Sequence, residues 1–351
     1  MFQHILVPLD GSRRAEQAIP IAARIAHASK GSSIILIRVV EAVMNYAWQF
    51  AQSPIDYGEA FNAEYYAATT YIKEIVHSDT LQGLNVTTKV IEGHAARAIM
   101  TTAQAEEIDL IVMSSHGYTG LKRWVLGSVS QQIERHSTIP TLILRDNPVA
   151  NERLLQGNKQ PMRIMVALDG TPVAESILPA AATLCTALSA PAKGSLHLAM
   201  VLPQNETATV TTVEDYSRAI KEAQAYLHAV IQCLHSDEQP GRKLDITSSV
   251  SLQSNVSEAL VKLAEMGASM EGVSTFTGCD MIAMATRGRA SVERWIHPSV
   301  TEHVFDVSPV PFLVLRVPRR ESAWDDEPLL DENDPRVYAA GGSFPGWVGL
   351  L

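Results

Sequence analysis

Three cysteines in 351 residues, Cys185, Cys233 and Cys279, are too few and too scattered for a disulfide framework or a Cys-x-x-Cys metal or redox pair. They read as buried thiols of a reducing compartment, so the expected location is cytoplasmic. A positive charge balance is also missing: 28 Lys and Arg stand against 38 Asp and Glu, a net charge of -10. Such a surface attracts neither a phosphate backbone nor an anionic lipid surface, so no nucleic acid and no membrane partner is expected. No uninterrupted apolar run approaches the roughly 20 residues of a membrane span, and strand-like sequence begins at His4, so no secretory leader is expected. Also absent is a Gly-x4-Gly-Lys-Ser/Thr loop, and Leu9-Asp10-Gly11-Ser12 lacks the Ser-Gly-Gly-x-Asp-Ser run of pyrophosphatase-type loops. No two side chains are spaced as nucleophile and general base. What is present is a hydrophobic content of 46% and a charged content of 19%, in a length that suits about two globular domains.

Strand-type and helix-type segments alternate from the start. His4 to Leu9 is a short strand ending at Asp10-Gly11-Ser12, and Pro8, which cannot donate to a ladder, belongs near its end. Ala15, Ala18, Ile19, Ala22, Ala23 and Ile25 keep helical spacing as far as Lys30-Gly31. Ile34 to Val40 is apolar on both faces, as a central parallel strand should be. A loop over 41–62 precedes a helix over about 62–80, with Tyr65, Tyr66, Ile72, Ile75 and Val76 on its apolar side. Val86–Ile91 is a third strand, Glu92-Gly93-His94 a turn and Ala95–Ala105 a helix. Asp109–Met113 is a fourth strand, 127–136 a helix and Pro140–Arg145 a fifth strand. This order predicts an α/β fold with a five-stranded parallel sheet covered by helices on both faces.

The second half repeats the first. His4-Ile-Leu-Val-Pro-Leu-Asp-Gly-Ser answers Arg163-Ile-Met-Val-Ala-Leu-Asp-Gly-Thr, Ala15-Glu16 answers Ala174-Glu175, and Pro20 answers Pro179. Further on, Asp109-Leu-Ile-Val-Met answers Asp280-Met-Ile-Ala-Met, and Trp124 answers Trp295. The expected architecture is two tandem Rossmann-like domains, 1–150 and 161–319, with a polar linker over 151–160. An acidic tail over 320–351 is expected to be disordered.

The stretch that carries function runs from Leu110 to Ser130. An apolar strand ends at Met113, Gly117 and Gly120 open a loop, and Gly127-Ser128 launches a helix. A strand feeding a glycine-bearing loop and a helix N-terminus is where backbone N–H groups can converge on a phosphate. In the second copy Gly120 has become Ser291 and Gly127 has become Pro298, which removes a donor and adds bulk. The first copy is therefore expected to keep a phosphate cradle that the second has lost. Asp10 recurs as Asp169 in that second copy, so a plain turn-forming or helix-capping acid is as good a reading of it as a ligand contact.

With Val7-Pro8-Leu9-Asp10-Gly11-Ser12, Val39-Val40-Glu41, Glu92-Gly93 and Met113-Ser-Ser-His-Gly-Tyr-Thr-Gly through Gly127-Ser128, the chain resembles a tandem universal stress protein. Nucleotide-binding members carry Gly-x-x-Gly-x9-Gly-Ser/Thr. Here the second glycine is Gly117, the last pair is Gly127-Ser128, and the first glycine is replaced by Ser114. The resemblance implies ATP, with Mg²⁺, held in the first domain by Pro8, Leu9, Asp10, Val39, Met113, Ser114, Gly117, Gly127, Ser128, Val129 and Ser130. The adenine would lie near Asp10 and the Val39 backbone. The phosphates would follow the 127–130 segment, where the Ser128 and Ser130 hydroxyls can meet them or the metal. It also implies an intrachain pseudo-dimer, with Ile139–Arg145 facing Val310–Arg316, and leaves a homodimer open.

Three functions fit. The first is a stress-response module whose adenine nucleotide tunes binding of a protein partner that the sequence does not identify. The second is an interaction protein of the same fold without nucleotide, favoured if Ser114 spoils the site. The third is an enzyme limited to slow ATP hydrolysis or autophosphorylation, and the sequence predicts no efficient catalyst.

Overall fold

Runs of Ile, Leu and Val too apolar for any half-exposed strand give each half of the chain a sheet covered on both faces. A computed structural model describes residues 1–41, 54–115, 127–156, 161–204, 213–236, 244–270, 273–276, 278–287 and 300–318. The chain divides into two units, Met1–Leu155 and Gln156–Leu351.

In unit 1 the elements are β1 (His4–Leu9), α1 (Arg13–Glu16), α2 (Ala18–His27), β2 (Ser33–Val40), α3 (Pro54–Val76), β3 (Asn85–Glu92), α4 (Ala95–Ala105), β4 (Leu110–Ser114), α5 (Ser128–His136), β5 (Thr141–Leu144) and α6 (Pro148–Leu155). Its strands pair in parallel in the order β3-β2-β1-β4-β5. The chain thus moves one way from β1 to β3, then returns across β1 to β4 and β5. With right-handed crossovers, α2 and α3 cover one face and α4 and α5 the other, and α4 and α5 pack on each other. Ile5, Leu6, Ile34, Leu36, Leu110 and Ile111 are fully buried, each worth roughly 1.5–3 kcal/mol of transfer from water.

Three local departures from the sequence reading have physical causes. The helix expected from Ala15 onward is broken at Gln17, because Pro20 cannot donate to the Glu16 carbonyl four residues back. Unit 2 breaks its corresponding helix in the same place, ahead of Pro179. The long helix starts at Pro54, a residue suited to a first turn, and not near 62. Its inner residues are Ala68 and Ile72, whereas Tyr65 and Tyr66 are exposed and do not lie on its apolar side. The first half of the expected linker belongs to α6. The Asn151 amide of that helix donates to Gln17 Oε1 at 2.7 Å and to the Arg145 carbonyl at 2.8 Å, and the Arg24 guanidinium donates to the Leu155 carbonyl at its end.

Unit 2 is built from β6 (Arg163–Ala167), α7 (Pro172–Glu175), α8 (Leu178–Ser189), β7 (Ser195–Pro203), α9 (Val213–Ser236), β8 (Asp245–Gln253), α10 (Val256–Met266), β9 (Ala268–Met270), β10 (Val273–Phe276), β11 (Met281–Arg287), α11 (Val300–Val307) and β12 (Phe312–Val317). Its parallel row reads β12-β11-β6-β7-β8, the same order as in unit 1. Where unit 1 passes from Ala105 directly to Asp109, unit 2 inserts the antiparallel pair β9–β10. Gly278 closes that insertion with φ +85°, and a Cβ there would come within 2.7 Å of the Glu265 carbonyl.

The repeated aspartate at the start of the fourth strand has the same task in both units. Asp109 accepts from the Gln3 and His4 amides at 2.6 and 3.2 Å, and Asp280 accepts from the Arg163 amide at 2.8 Å. Each ties the first strand of its unit to the fourth, at the end of the sheet opposite the candidate site.

Candidate functional site

The strand order reverses between β1 and β4, so the crevice beyond their carboxyl ends is where an open α/β sheet takes a ligand. Asp10 stands on one side of this crevice and Ser114 on the other. The Asp10 carboxylate accepts from the Ser12 amide at 2.9 Å across Gly11, whose φ of +85° requires a glycine. Ser12 then caps α1 by accepting from the Ala15 amide at 3.2 Å. Unit 2 repeats the device: Asp169 accepts from the Thr171 amide and hydroxyl, and Thr171 caps the Ala174 amide. The turn alone therefore accounts for the recurrence of the acid.

On the far side the N-terminus of α5 is fastened to the end of β4. The buried Ser130 hydroxyl lies 3.0 Å from the Ser114 carbonyl and 3.1 Å from that of Ser115, and the Gly127 amide donates to the Ser115 carbonyl at 2.7 Å. This arrangement leaves the amides of Ser128, Val129 and Ser130, the first turn of α5, with no intrahelical acceptor. It also revises two sequence expectations. The Ser130 hydroxyl is turned inward to the strand, so its backbone amide is the group that can meet a ligand. The Gly127 amide is committed to Ser115, and the residue has φ -63°, a value any residue adopts.

The remaining expected residues fall around this crevice. Leu9, Val39 and Met113 are buried, Pro8, Ser114, Gly127 and Val129 are half-buried, and Ser128 is exposed. Leu9 pairs in register with Arg38, which sets Val39 one step further along β2, beside the Asp10 turn. Gly117 lies outside the described residues, as do His116, Gly120, Lys122, Arg123 and Trp124. The end of β2 is held by Glu41, whose carboxylate accepts from the Ala95 amide at 2.9 Å and closes the start of α4. His94, the residue before that helix, makes no side-chain cap.

Sequence reasoning missed Tyr71 and Glu16. The Tyr71 hydroxyl donates to Glu16 at 3.1 Å, joining α3 to the short helix behind the Asp10 turn. Unit 2 has the same bond between Tyr226 and Glu175, at 2.9 Å. Burial, and then the Glu16 charge and hydrogen bond with Asp10 adding to them, hold the Tyr71 phenol above its ordinary range, Arg38 acting the other way. The signal in the sequence was a glutamate kept in both copies four residues after the turn's hydroxyl.

These features define a doubly wound α/β fold, built twice, with a crevice at the switch point of unit 1. The universal stress protein family model matches residues 1–145 and 161–316, and the chain belongs to that family. It is similar to universal stress protein YxiE of Bacillus subtilis, 28% identical over 160 residues that cover 41% of this chain and all of that protein. It is also similar to a universal stress protein of Thermus aquaticus, 29% identical over 148 residues, covering 41% of this chain and all of the relative. Among solved structures, a universal stress protein from Archaeoglobus fulgidus shares the fold, with a TM-score of 0.60 and 19% identity over 89% of this chain and 98% of that one. One from Pseudomonas aeruginosa follows, with a TM-score of 0.52 and 16% identity over 90% and 93%.

Proposed function

We propose that unit 1 binds an adenine nucleotide, ATP with Mg²⁺, and serves in the cytoplasm as a nucleotide-dependent regulatory or interaction module of a stress response. The observation that carries this reading is the α5 N-terminus, pinned by Ser130 and Gly127 to the end of β4, the strand paired with the one that leads into the Asp10 turn. Three amides and the positive end of a helix dipole suit a phosphate, so the residues present fit the group. Ser128, Val129 and Ser130 would take the phosphates through their backbone, and Asp10 and the Val39 backbone would take the base. Bound Mg²⁺ would be held mainly by phosphate oxygens and water, with the exposed Ser128 hydroxyl in reach of that shell. Any hydrolysis would be slow.

Gly127→Pro makes unit 1 resemble unit 2 and tests the cradle. Its φ of -63° accepts proline, but the bond to Ser115 is lost, about 1 kcal/mol, and the ring intrudes where phosphate would press. Calorimetry with ATP and Mg²⁺ should show binding abolished while the circular dichroism spectrum is kept. Unchanged affinity would mean that the phosphates do not lie at this helix end. The alternative, an interaction protein without nucleotide, is favoured by the commitment of the Gly127 amide and the Ser130 hydroxyl to the protein's own carbonyls. Loss of binding in Gly127→Pro counts against that alternative.

A further inference from the structure

The two units end their sheets differently on the side of the third strand. Among the described residues, no strand pairs with the outer edge of β3 or of β8. In β8 the Asp245 amide and the Gln253 carbonyl bond inward, to Gly194 and Gln204 beside β7. By the two-residue period of a strand, Ile246, Ser248, Val250 and Leu252 therefore turn their amides and carbonyls outward. β8 is nine residues long, with no lysine, no proline and no charge between Asp245 and Gln253. A long edge with outward backbone groups and no guarding residue is a template for another strand.

We propose that this edge docks a second copy of the same chain, antiparallel, about a two-fold axis through Ser249. In that register Ile246 lies opposite Leu252 and Ser248 opposite Val250. Each of these four residues donates one backbone bond and accepts one across the interface. Ser249 then meets its own copy at the non-hydrogen-bonded position, where side chains approach most closely. Thr247 faces Ser251 and Asp245 faces Gln253, so no like charges are opposed.

The corresponding edge in unit 1 shows what a guarded version looks like. The Gly93 amide bonds inward to Val40, so Val86, Thr88, Val90 and Glu92 turn their backbone outward, and the same register would place Lys89 against Lys89. Lys89 stands where unit 2 has Ser249, as the registers from Ser33–Asn85 and Ser195–Asp245 establish, and it is already ion-paired with Glu106. Like charges at the axis disfavour pairing there. Among the described residues the β3 edge is guarded and the β8 edge is not, and the β8 edge is self-complementary.

Sedimentation velocity of the full chain, carried to submillimolar concentration, tests the assignment, because a strand-edge contact is at the small end of stable interfaces. The wild type is expected to shift from its 38.2 kDa monomer towards twice that mass. Ser248→Pro removes an outward amide and leaves the bonds to β7 in place, so it should remain monomeric with unchanged circular dichroism and melting. Ser249→Lys installs the residue of unit 1 and should also remain monomeric; it decides the matter if Ser248→Pro fails to fold. A wild type that stays monomeric at the highest concentration overturns the proposal. So does a dimer that survives the substitutions in folded protein.

Discussion

His197 makes unit 2 sensitive to acid, and the size of the effect follows from its surroundings. The ring sits on β7 with 1% of its surface exposed, its Nδ1 2.8 Å from the Thr247 hydroxyl and its Nε2 2.8 Å from that of Ser249. A neutral imidazole satisfies one hydroxyl as donor and the other as acceptor. Burial disfavours the charged ring and pushes its pKa from 6.5 down to about 4. The unfolded chain then takes up its proton first as pH falls. Stability is complete above about pH 6.5, declines between 6.5 and 4, and levels off once both states are protonated. The loss is about 2 kcal/mol at pH 5 and approaches 3 kcal/mol in full.

In unit 1 the position belongs to Ile35, so His197→Ile is the natural perturbation. Thr247 is exposed and Ser249 half-exposed, so their hydroxyls can return to water and the variant should lie within about 1 kcal/mol of wild type at pH 7. The three cysteines all lie in unit 2, two of them buried, so thiol exposure in urea reports this unit alone. A dithiodipyridine reagent, which reacts in mild acid, should show wild type losing about 2 kcal/mol more than His197→Ile between pH 7 and pH 5. Equal losses in the two proteins would refute the buried neutral histidine.

Two further outcomes concern unit 1. Ser130→Ala removes the hydroxyl that ties α5 to β4 and should destabilise the unit by about 1–2 kcal/mol in urea while weakening ATP in calorimetry; intact affinity would mean that the helix end needs no such tie. Tyr71→Phe should cost roughly 1 kcal/mol, and the difference in ultraviolet titration between it and wild type should show one phenol ionising above the usual tyrosine range. A missing step at or below pH 10 would deny the Glu16 bond.

The sheet was legible because a buried parallel strand has little alternative to an unbroken apolar run, and the duplication supplied a check on each strand. The helices were less so. Pro20 was visible, but its effect depends on which carbonyl lies four residues back, and the run read as one helix. The segment from Asn151 to Leu155 looks like linker because its partners, Gln17 for Asn151 and Arg24 for the Leu155 carbonyl, are more than a hundred residues away. Tyr65 and Tyr66 read as part of the helix's apolar side, whereas packing buries Ala68 and Ile72. At the site, residue type marks Asp10 and Ser130 as polar candidates for ligand contact. The recurrence of Asp10 as Asp169 already pointed to the turn that the carboxylate shapes, but that Ser130 fastens a helix was hidden, since that role depends on where backbone groups fall in space. Tyr71 escaped for the same reason: a tyrosine at mid-helix carries no mark of the carboxylate it will meet.

The most direct measurement is calorimetric titration of ATP and Mg²⁺ into the nucleotide-stripped chain. One site per chain is expected, in unit 1, and it is lost in Gly127→Pro. No heat of binding, or two sites per chain, would contradict this.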